Sequence, residues 1–346
     1  MIPIRNIYYM LSYAFQVLDS QGYKDLATEE FENVGDLCAA ILITGVSLQM
    51  KRGLSRDYVE RTAPLSSLRG KIGISESIKT QSMLKKQMVC SYDDFSIDSA
   101  QNRILKSTMV LLLHSDVAKA RKKALKKLLV FFSEVTLIES NAIDWHVHYD
   151  RNNQTYRMLV SICYLVVKGL LEKQDDGTMR MMDFLDEQRM SHLYEKFILE
   201  FYRKELPLLS ANPSQIPWML DGEGDAFLPL MQSDITLSRG NNVLIIDAKY
   251  YNQNTQVRFG AHTIHSHNLY QIFTYVKNKE VSFGSVPHQV SGMLLYAKTD
   301  ETIQPDSTYV MSGNRISVKT LDLNQKFSDI ADQLKRIAKE YFGNEA

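Results

Sequence analysis

In the first half of the chain, apolar residues recur at spacings of three and four, the pattern of helices buried along one side. Residues 6–18 predict an amphipathic helix and residues 34–49 another. A β-rich stretch follows, with turn signals at Arg52-Gly53 and Arg69-Gly70. Helices are then expected over 100–114, 117–133 and 156–172. A further helix, 186–206, would present Leu193, Tyr194, Phe197, Ile198 and Phe201 on one apolar face. Two apolar strands come next, 231–237 and 243–250, joined by a turn at Gly240-Asn241-Asn242. A helix is expected at 268–275, a strand at 292–297 and a terminal helix at 326–341. The pattern contains no internal repeat. It predicts a mixed α+β and α/β chain in three parts: 1–95, a helical 96–180, and 181–346. Residues 174–177, Gln-Asp-Asp-Gly, are the clearest linker.

The two strands carry the most informative chemistry. One holds Asp234, and the other ends on Asp247-Ala248-Lys249. Residues i and i+2 of a strand point to one face, so Asp247 and Lys249 project together. Ala248 points away and offers its backbone carbonyl, while a hairpin brings Asp234 alongside. Two carboxylates and a backbone oxygen suit Mg²⁺, which prefers few protein ligands and keeps several waters. Such a metal acidifies water and neutralises a phosphate, and Lys249 beside it can stabilise developing negative charge. Asp-x-Lys by itself is common at exposed strand ends; here it closes a run, Val243 to Ile246, of the kind buried in a sheet. On the next helix Gln271 and Tyr275 stand four apart and share a face.

Composition narrows the setting. A chain of 346 residues is long enough for two or three domains. Forty basic and forty acidic residues leave no net charge, whereas a protein that binds DNA strongly on its own is usually basic. A chain of this charge is therefore not expected to bind DNA strongly by itself. Cys38, Cys90 and Cys163 are scattered without metal-ligand spacing and suit a reducing cytoplasm. The longest continuous apolar runs, such as 109–113 and 128–132, are too short to span a bilayer. No signal-peptide pattern opens the chain.

The order helix, strands, acid, acid-x-lysine, helix with Gln-x-x-x-Tyr, strand resembles the PD-(D/E)xK nuclease core. Residues 185–300 carry this resemblance, particularly to its exonuclease-like branch. It implies an αβββαβ core in the C-terminal part, with Ser233 where the family name has proline. Five further segments resemble the McrC family: Ile2-Pro3-Ile4-Arg5-Asn6-Ile7-Tyr8-Tyr9-Met10-Leu11-Ser12-Tyr13-Ala14, Lys51-Arg52-Gly53-Leu54, Leu68-Arg69-Gly70-Lys71-Ile72, Asn102-Arg103-Ile104-Leu105-Lys106 and Leu193-Tyr194-Glu195-Lys196-Phe197. This second resemblance runs from Ile2 to about Tyr341. It implies the Mg²⁺-dependent endonuclease subunit of a GTP-dependent restriction system acting on double-stranded DNA. The partner would be an McrB-like AAA+ GTPase forming a hexameric ring, which recognises and translocates DNA. GTP would be bound by that partner. The catalytic set would be Asp234, Asp247, Lys249, Gln271, Glu195 and Tyr275, with Asp234, Asp247 and the Ala248 carbonyl on the metal. In related nucleases an acid at the Glu195 position often reaches the metal; the alternative is an ordinary helix-surface pair. Residues 1–95 would enter the partner ring, where Arg52, Lys51 or Arg69 would stimulate GTP hydrolysis. Two other readings stay open, a non-cleaving activator of an NTPase ring and a stand-alone exonuclease.

Several features have plainer readings. Residues 119–127 hold six basic side chains in nine, read as a solvated helix face, with a DNA or partner contact as the alternative. His262, His265 and His267 lack a structural-zinc spacing and are expected to line a loop near the active site. Asp221, Glu223 and Asp225 mimic the start of a calcium loop, but Ala226 and Gln232 occupy the positions that need Gly and Glu, so a turn is expected. Glu200 reads as surface. Gly70-Lys71 is followed by isoleucine and no P-loop occurs.

Overall fold

The computed structural model describes residues 2–15, 18, 23, 26, 29–149, 154–169, 187–222, 227–258 and 261–343. The linker expected at 174–177, the end of the helix expected to 172, and residues 223–226 of the acidic stretch lie outside these. In chain order the elements are α1 (Ile4–Ala14), α2 (Val34–Arg52), β1 (Asp57–Leu65), β2 (Lys71–Ile72), α3 (Ile74–Lys79), β3 (Met88–Ser96), α4 (Ala100–Leu113), α5 (Lys119–Leu129) and α6 (Gln154–Gly169). They continue as α7 (Glu187–Glu205), β4 (Ser210–Asn212), β5 (Gln215–Ile216), β6 (Met231–Gln232), β7 (Ile235–Arg239), β8 (Asn242–Lys249), β9 (Thr255–Arg258) and β10 (Ala261–Ile264). The last are α8 (Ser266–Val281), β11 (Gln289–Ala297), β12 (Ser307–Met311), β13 (Asn314–Leu321) and α9 (Phe327–Phe342). The mixed α and β class is as expected.

The contacts group the chain differently from the three-part expectation. One compact unit joins Met1–Ser20 to Phe184–Ala346, and the other is Gln21–Asp183. The first regrouping has a packing cause. The apolar face of α1 is covered by α7 and α9, not by its sequence neighbours. Tyr13 packs against Phe197, Phe201 and Phe327, and Tyr9 stacks on Phe327 at 4.5 Å. The buried Asn6 amide donates to the carbonyls of Leu323 and Gln325, each at 2.8 Å. Phe197 and Phe201 are fully buried, and each aromatic contributes roughly 1.5–3 kcal/mol by leaving water.

Within this unit a six-stranded sheet runs in the order β12-β13-β11-β8-β7-β4. β11 is parallel to both β8 and β13, while β7, β4 and β12 pair antiparallel. Gly240, at φ +59, opens the two-residue turn between β7 and β8, a conformation that suits glycine at the first hairpin position. α8 lies over one face, burying Ile272, Tyr275 and Val276 against Val243, Ile245, Leu294 and Ile316. Gly292 of β11 permits this closeness. A Cβ there would lie 2.8 Å from side-chain atoms of both Ile272 and Val276.

The second unit does not divide near residue 95. β1 and β3 form a long antiparallel pair, from Asp57↔Ser96 to Leu65↔Met88, with β2 on the other edge of β3. The segment Asn102–Lys106 ties this sheet to the helices. Buried Asn102 donates to the carbonyls of Ser55 and Ile97 and accepts from the Tyr156 hydroxyl. Arg103 forms a bidentate pair with Asp98, holding that carboxyl well below the usual range. Lys106 caps the carbonyls of Phe132 and Val135. α2 is long and apolar enough to cross a membrane by length and composition alone. Its most apolar stretch is 67% buried, and its buried Asp36 pairs with Arg121 of α5, as in the core helix of a globular unit.

Candidate active site

β8 begins as a buried apolar strand and ends on charge. Val243 and Ile245 face α8, and alternation carries Asp247 and Lys249 to that side. Asp247 is 1% exposed, rare for a carboxylate unless it is paired. The Lys249 ammonium lies 2.8 Å from Asp247 Oδ2. Among the described residues this ammonium is the one cation in contact with the buried oxygen.

Asp234 is not within a strand, contrary to expectation. Met231 and Gln232 pair away with β5, the chain bends at Asp234, and β7 starts at Ile235. Ser233 fixes the bend. It is buried, its N–H donates to the Ser214 carbonyl at 3.0 Å, and its hydroxyl bonds the Thr236 hydroxyl at 2.8 Å and accepts from the Ser214 N–H. The register Ile235↔Ile246 brings Asp234 beside Asp247, where Asp234 Oδ2 accepts the Ala248 N–H at 2.9 Å.

The electrostatics are those of a site short of positive charge. Burial pushes the Asp247 carboxyl up to about 7, and the neighbouring Asp234 adds to this against the opposing pull of Lys249. Asp234 is also raised by burial, with Lys249 and the Ala248 N–H opposing. Glu195 on α7 is raised by burial and then by the charge of Asp234, which places it at the same cluster. The Ser191 hydroxyl donates to Glu195 at 3.1 Å, and the exposed His192 lies 3.5 Å from its other oxygen. For Lys249, burial works to lower the ammonium, but the Asp247 carboxylate outweighs it and leaves the group raised. Among the described residues no three His, Cys, Asp or Glu side chains converge tightly enough to hold a metal by themselves. A cation here would need water or backbone oxygens to complete its shell, which is how Mg²⁺ ordinarily binds.

α8 closes the site on the lysine side. Lys249 donates to Gln271 Oε1 at 3.4 Å, and the Gln271 amide donates to the Tyr275 hydroxyl at 3.0 Å. The expected i, i+4 face is therefore present, on a helix longer than 268–275. One turn earlier, fully buried Asn268 donates to the Tyr296 hydroxyl at 2.8 Å and accepts from Tyr251 at 3.2 Å. Sequence reasoning missed this second layer. Asn268 was findable as the residue three before Gln271. Tyr296 was not, because it meets Lys249 only through the β8–β11 register. His192, three before Glu195 on α7, was also missed.

The remaining candidates stand at other positions along the chain. Lys51 and Arg52 occupy the exposed last turn of α2 rather than a turn, because the helix runs three residues past 49 before Gly53 ends it at φ +94. Neither forms an ion pair among the described residues. Arg69 is held to β3: it donates to the Asp93 carbonyl at 3.2 Å, lies 3.8 Å from Asp94 and stacks over Tyr92. The histidines do not sit in a loop. His262 is on β10, His265 stands at the N-cap position of α8 without a side-chain cap and packs on Tyr251, and His267 is in the first turn of the helix, because 255–264 form a hairpin that leads into it. Glu200 is half-buried and pairs with Arg203 at 2.7 Å, not a plain surface acid. The three cysteines are free and buried.

Fold and site together define a mixed α/β protein with an acid–lysine cluster buried at one end of its main sheet. The McrBC 5-methylcytosine restriction system component family matches residues 4–297. A relative, the type IV methyl-directed restriction enzyme EcoKMcrBC of Escherichia coli (strain K12), is 30% identical over 348 residues, covering 98% of each chain. The chain belongs to the McrBC 5-methylcytosine restriction system component family. Its fold is similar to a chain in the refined half-complex from the tetradecameric assembly of Thermococcus gammatolerans McrB AAA+ hexamers with bound McrC. That match has a TM-score of 0.51 at 17% identity, over 98% of this chain and 76% of the other.

Proposed function

We propose that this chain is the nuclease subunit of a GTP-dependent McrBC-type restriction system, cutting double-stranded DNA with a PD-(D/E)xK core and Mg²⁺. The observation that carries the reading is Asp247: a carboxylate buried to 1% exposure, raised by that burial and by the second acid Asp234, with Lys249 beside it. The elements α7, β4, β7, β8, α8 and β11 supply the αβββαβ order such a core requires. The donor set fits a hard divalent cation, because a positive ion would relieve all three raised acids at once.

Asp234, Asp247 and the Ala248 carbonyl would hold Mg²⁺, with Glu195 reaching it through water. Bound there, the cation would lower the pKa of a water and neutralise phosphate charge. Lys249 holds a proton firmly at the Asp247 side and so presents a fixed positive charge to the phosphate. Gln271 orients the Lys249 ammonium through its Oε1 and is itself held by Tyr275. Burial of Asp247 and Ala248 excludes bulk water from the strand side of the site.

The E. coli relative is a methyl-directed restriction enzyme, and the Thermococcus assembly places McrC with McrB AAA+ hexamers. These support a hexameric AAA+ GTPase as partner, which would bind GTP and select the DNA. The unit spanning residues 21–183 suits contact with it. Tyr58, Ile74, Ile78, Leu84 and Phe95 are exposed there at 51–82%, more apolar surface than water-facing strands and turns normally show. The test is plasmid cleavage with the partner, GTP and Mg²⁺. Asp234→Ala should abolish cutting while complex formation and GTP hydrolysis persist. Cutting at near wild-type rate by that variant would remove Asp234 from the mechanism.

A further inference from the structure

α5 carries a charge that no described residue of its unit pairs with, Arg121 apart. Leu125 and Leu128 are its buried side. On the opposite side Lys119, Lys123, Lys126 and Lys127 are exposed, with half-buried Lys122 at the flank. Arg121 alone turns inward, to Asp36 and Glu29. Among the described residues none of the five lysines forms an ion pair. The chain as a whole has equal numbers of basic and acidic residues, so this face is a local excess. A neighbouring cavity of about 570 Å³ is lined by Arg56, Arg61, Asp94 and Glu134. Its charges balance, which leaves the excess on the helix.

We propose that the lysine face of α5 is a sequence-independent contact for the phosphate backbone of duplex DNA. The inference rests on the reading of the chain as a DNA-cutting subunit and adds a second DNA contact, on the unit that lacks the acid cluster. Two arguments favour DNA over an acidic protein. Protein interfaces are depleted in lysine and prefer arginine, whose fork meets carboxylates bidentately; here the one arginine faces inward. The run from Lys119 to Lys127 spans about 12 Å at 1.5 Å per residue. Over that length a duplex presents roughly seven phosphate charges, one per about 1.7 Å. Lysines along one helix face can meet those on the near side as point charges without reading bases.

The experiment measures anisotropy of a labelled random-sequence duplex with the full-length protein in EDTA, across a salt series. Cleavage plays no part in it, so a failure here leaves the nuclease reading standing. The reverse also holds, since the binding slope is read where no cutting can occur. The fourfold variant K119Q/K123Q/K126Q/K127Q should lower the slope of log affinity against log salt by about 2–4, near 0.9 per lost phosphate contact. The corresponding four Lys→Arg substitutions should restore it, and unchanged thermal unfolding would show that the fold survives. Three results would overturn the proposal. One is no duplex binding by the wild type at low salt. Another is an unchanged slope in the glutamine variant. The third is loss of assembly with the GTPase partner while duplex affinity is kept, which would assign the face to a protein.

Discussion

Asp247→Asn exchanges a carboxylate that is 1% exposed for a neutral amide of nearly the same shape. Burial raises this carboxyl from its ordinary 3.8 to about 7, so the folded state holds the proton more tightly than the unfolded chain does. Stability from this group is therefore fullest below 3.8 and is lost as pH climbs to about 7. At about 1.4 kcal/mol per tenfold the ceiling is roughly 4 kcal/mol. The amide escapes this loss but gives up the ion pair with Lys249, leaving that ammonium to Gln271 and the charge of Asp234. A net gain of roughly 1–3 kcal/mol above pH 8 is expected, or several degrees of melting temperature for a unit of this size. The assay is thermal unfolding by circular dichroism in EDTA at pH 5 and pH 8, at one scan rate. Wild type should lose apparent Tm between the two pH values and the variant should lose less, so that a gap opens at pH 8. Added Mg²⁺ should raise the wild type and not the variant, which would also be inactive in cleavage. Stability gained where function is lost is the expected trade at a strained functional site. Parallel pH profiles for the two proteins would refute the argument, because the cost of burying Asp247 could not then be what the geometry implies.

What could be read from the sequence was local. Asp247 with Lys249 follows from the two-residue repeat of a strand, and Gln271 with Tyr275 from the four-residue repeat of a helix; both pairs meet as expected. Asp234 was recognisable as an acid beside them, but its place before β7 depends on Ser233 bonding to Ser214, nineteen residues away. The two-residue strand β5, the hairpin β9–β10 and the pair β12–β13 lie where no strand was expected. The division into units failed for a related reason. An amphipathic helix announces that it has a buried face, not which surface covers it, and the partners of α1 lie some 180 to 320 residues away. Asn102–Lys106 was legible only as a family resemblance, and its contacts give it a structural role, joining a sheet to its helices.

Lys249→Ala should slow cleavage at least about a hundredfold, the scale of one lost preorganised charge, while partner GTP hydrolysis persists. Retained nicking with lost complex formation would instead make Lys249 an interface residue. Arg52→Ala should reduce stimulation of the partner GTPase with binding preserved, measured as steady-state hydrolysis at saturating variant; full stimulation would remove Arg52 from the mechanism. Gly292→Ala tests whether the seat of α8 matters to chemistry. The new methyl would stand 2.8 Å from Ile272 Cγ1 and Val276 Cγ2 and 3.0 Å from Ile316 Cδ1, so these side chains must give and press on the helix that carries two of them, at a cost of about 1–3 kcal/mol. Gln271 precedes Ile272 and reaches Lys249 at only 3.4 Å, so the same pressure loosens its hold on the ammonium. Gly292→Ala should lower the melting temperature and the cleavage rate together. Val276→Ala in the same protein opens room for the methyl and should return part of both. Wild-type stability and rate in the single variant would mean that α8 yields without strain and that its position does not set that of Lys249.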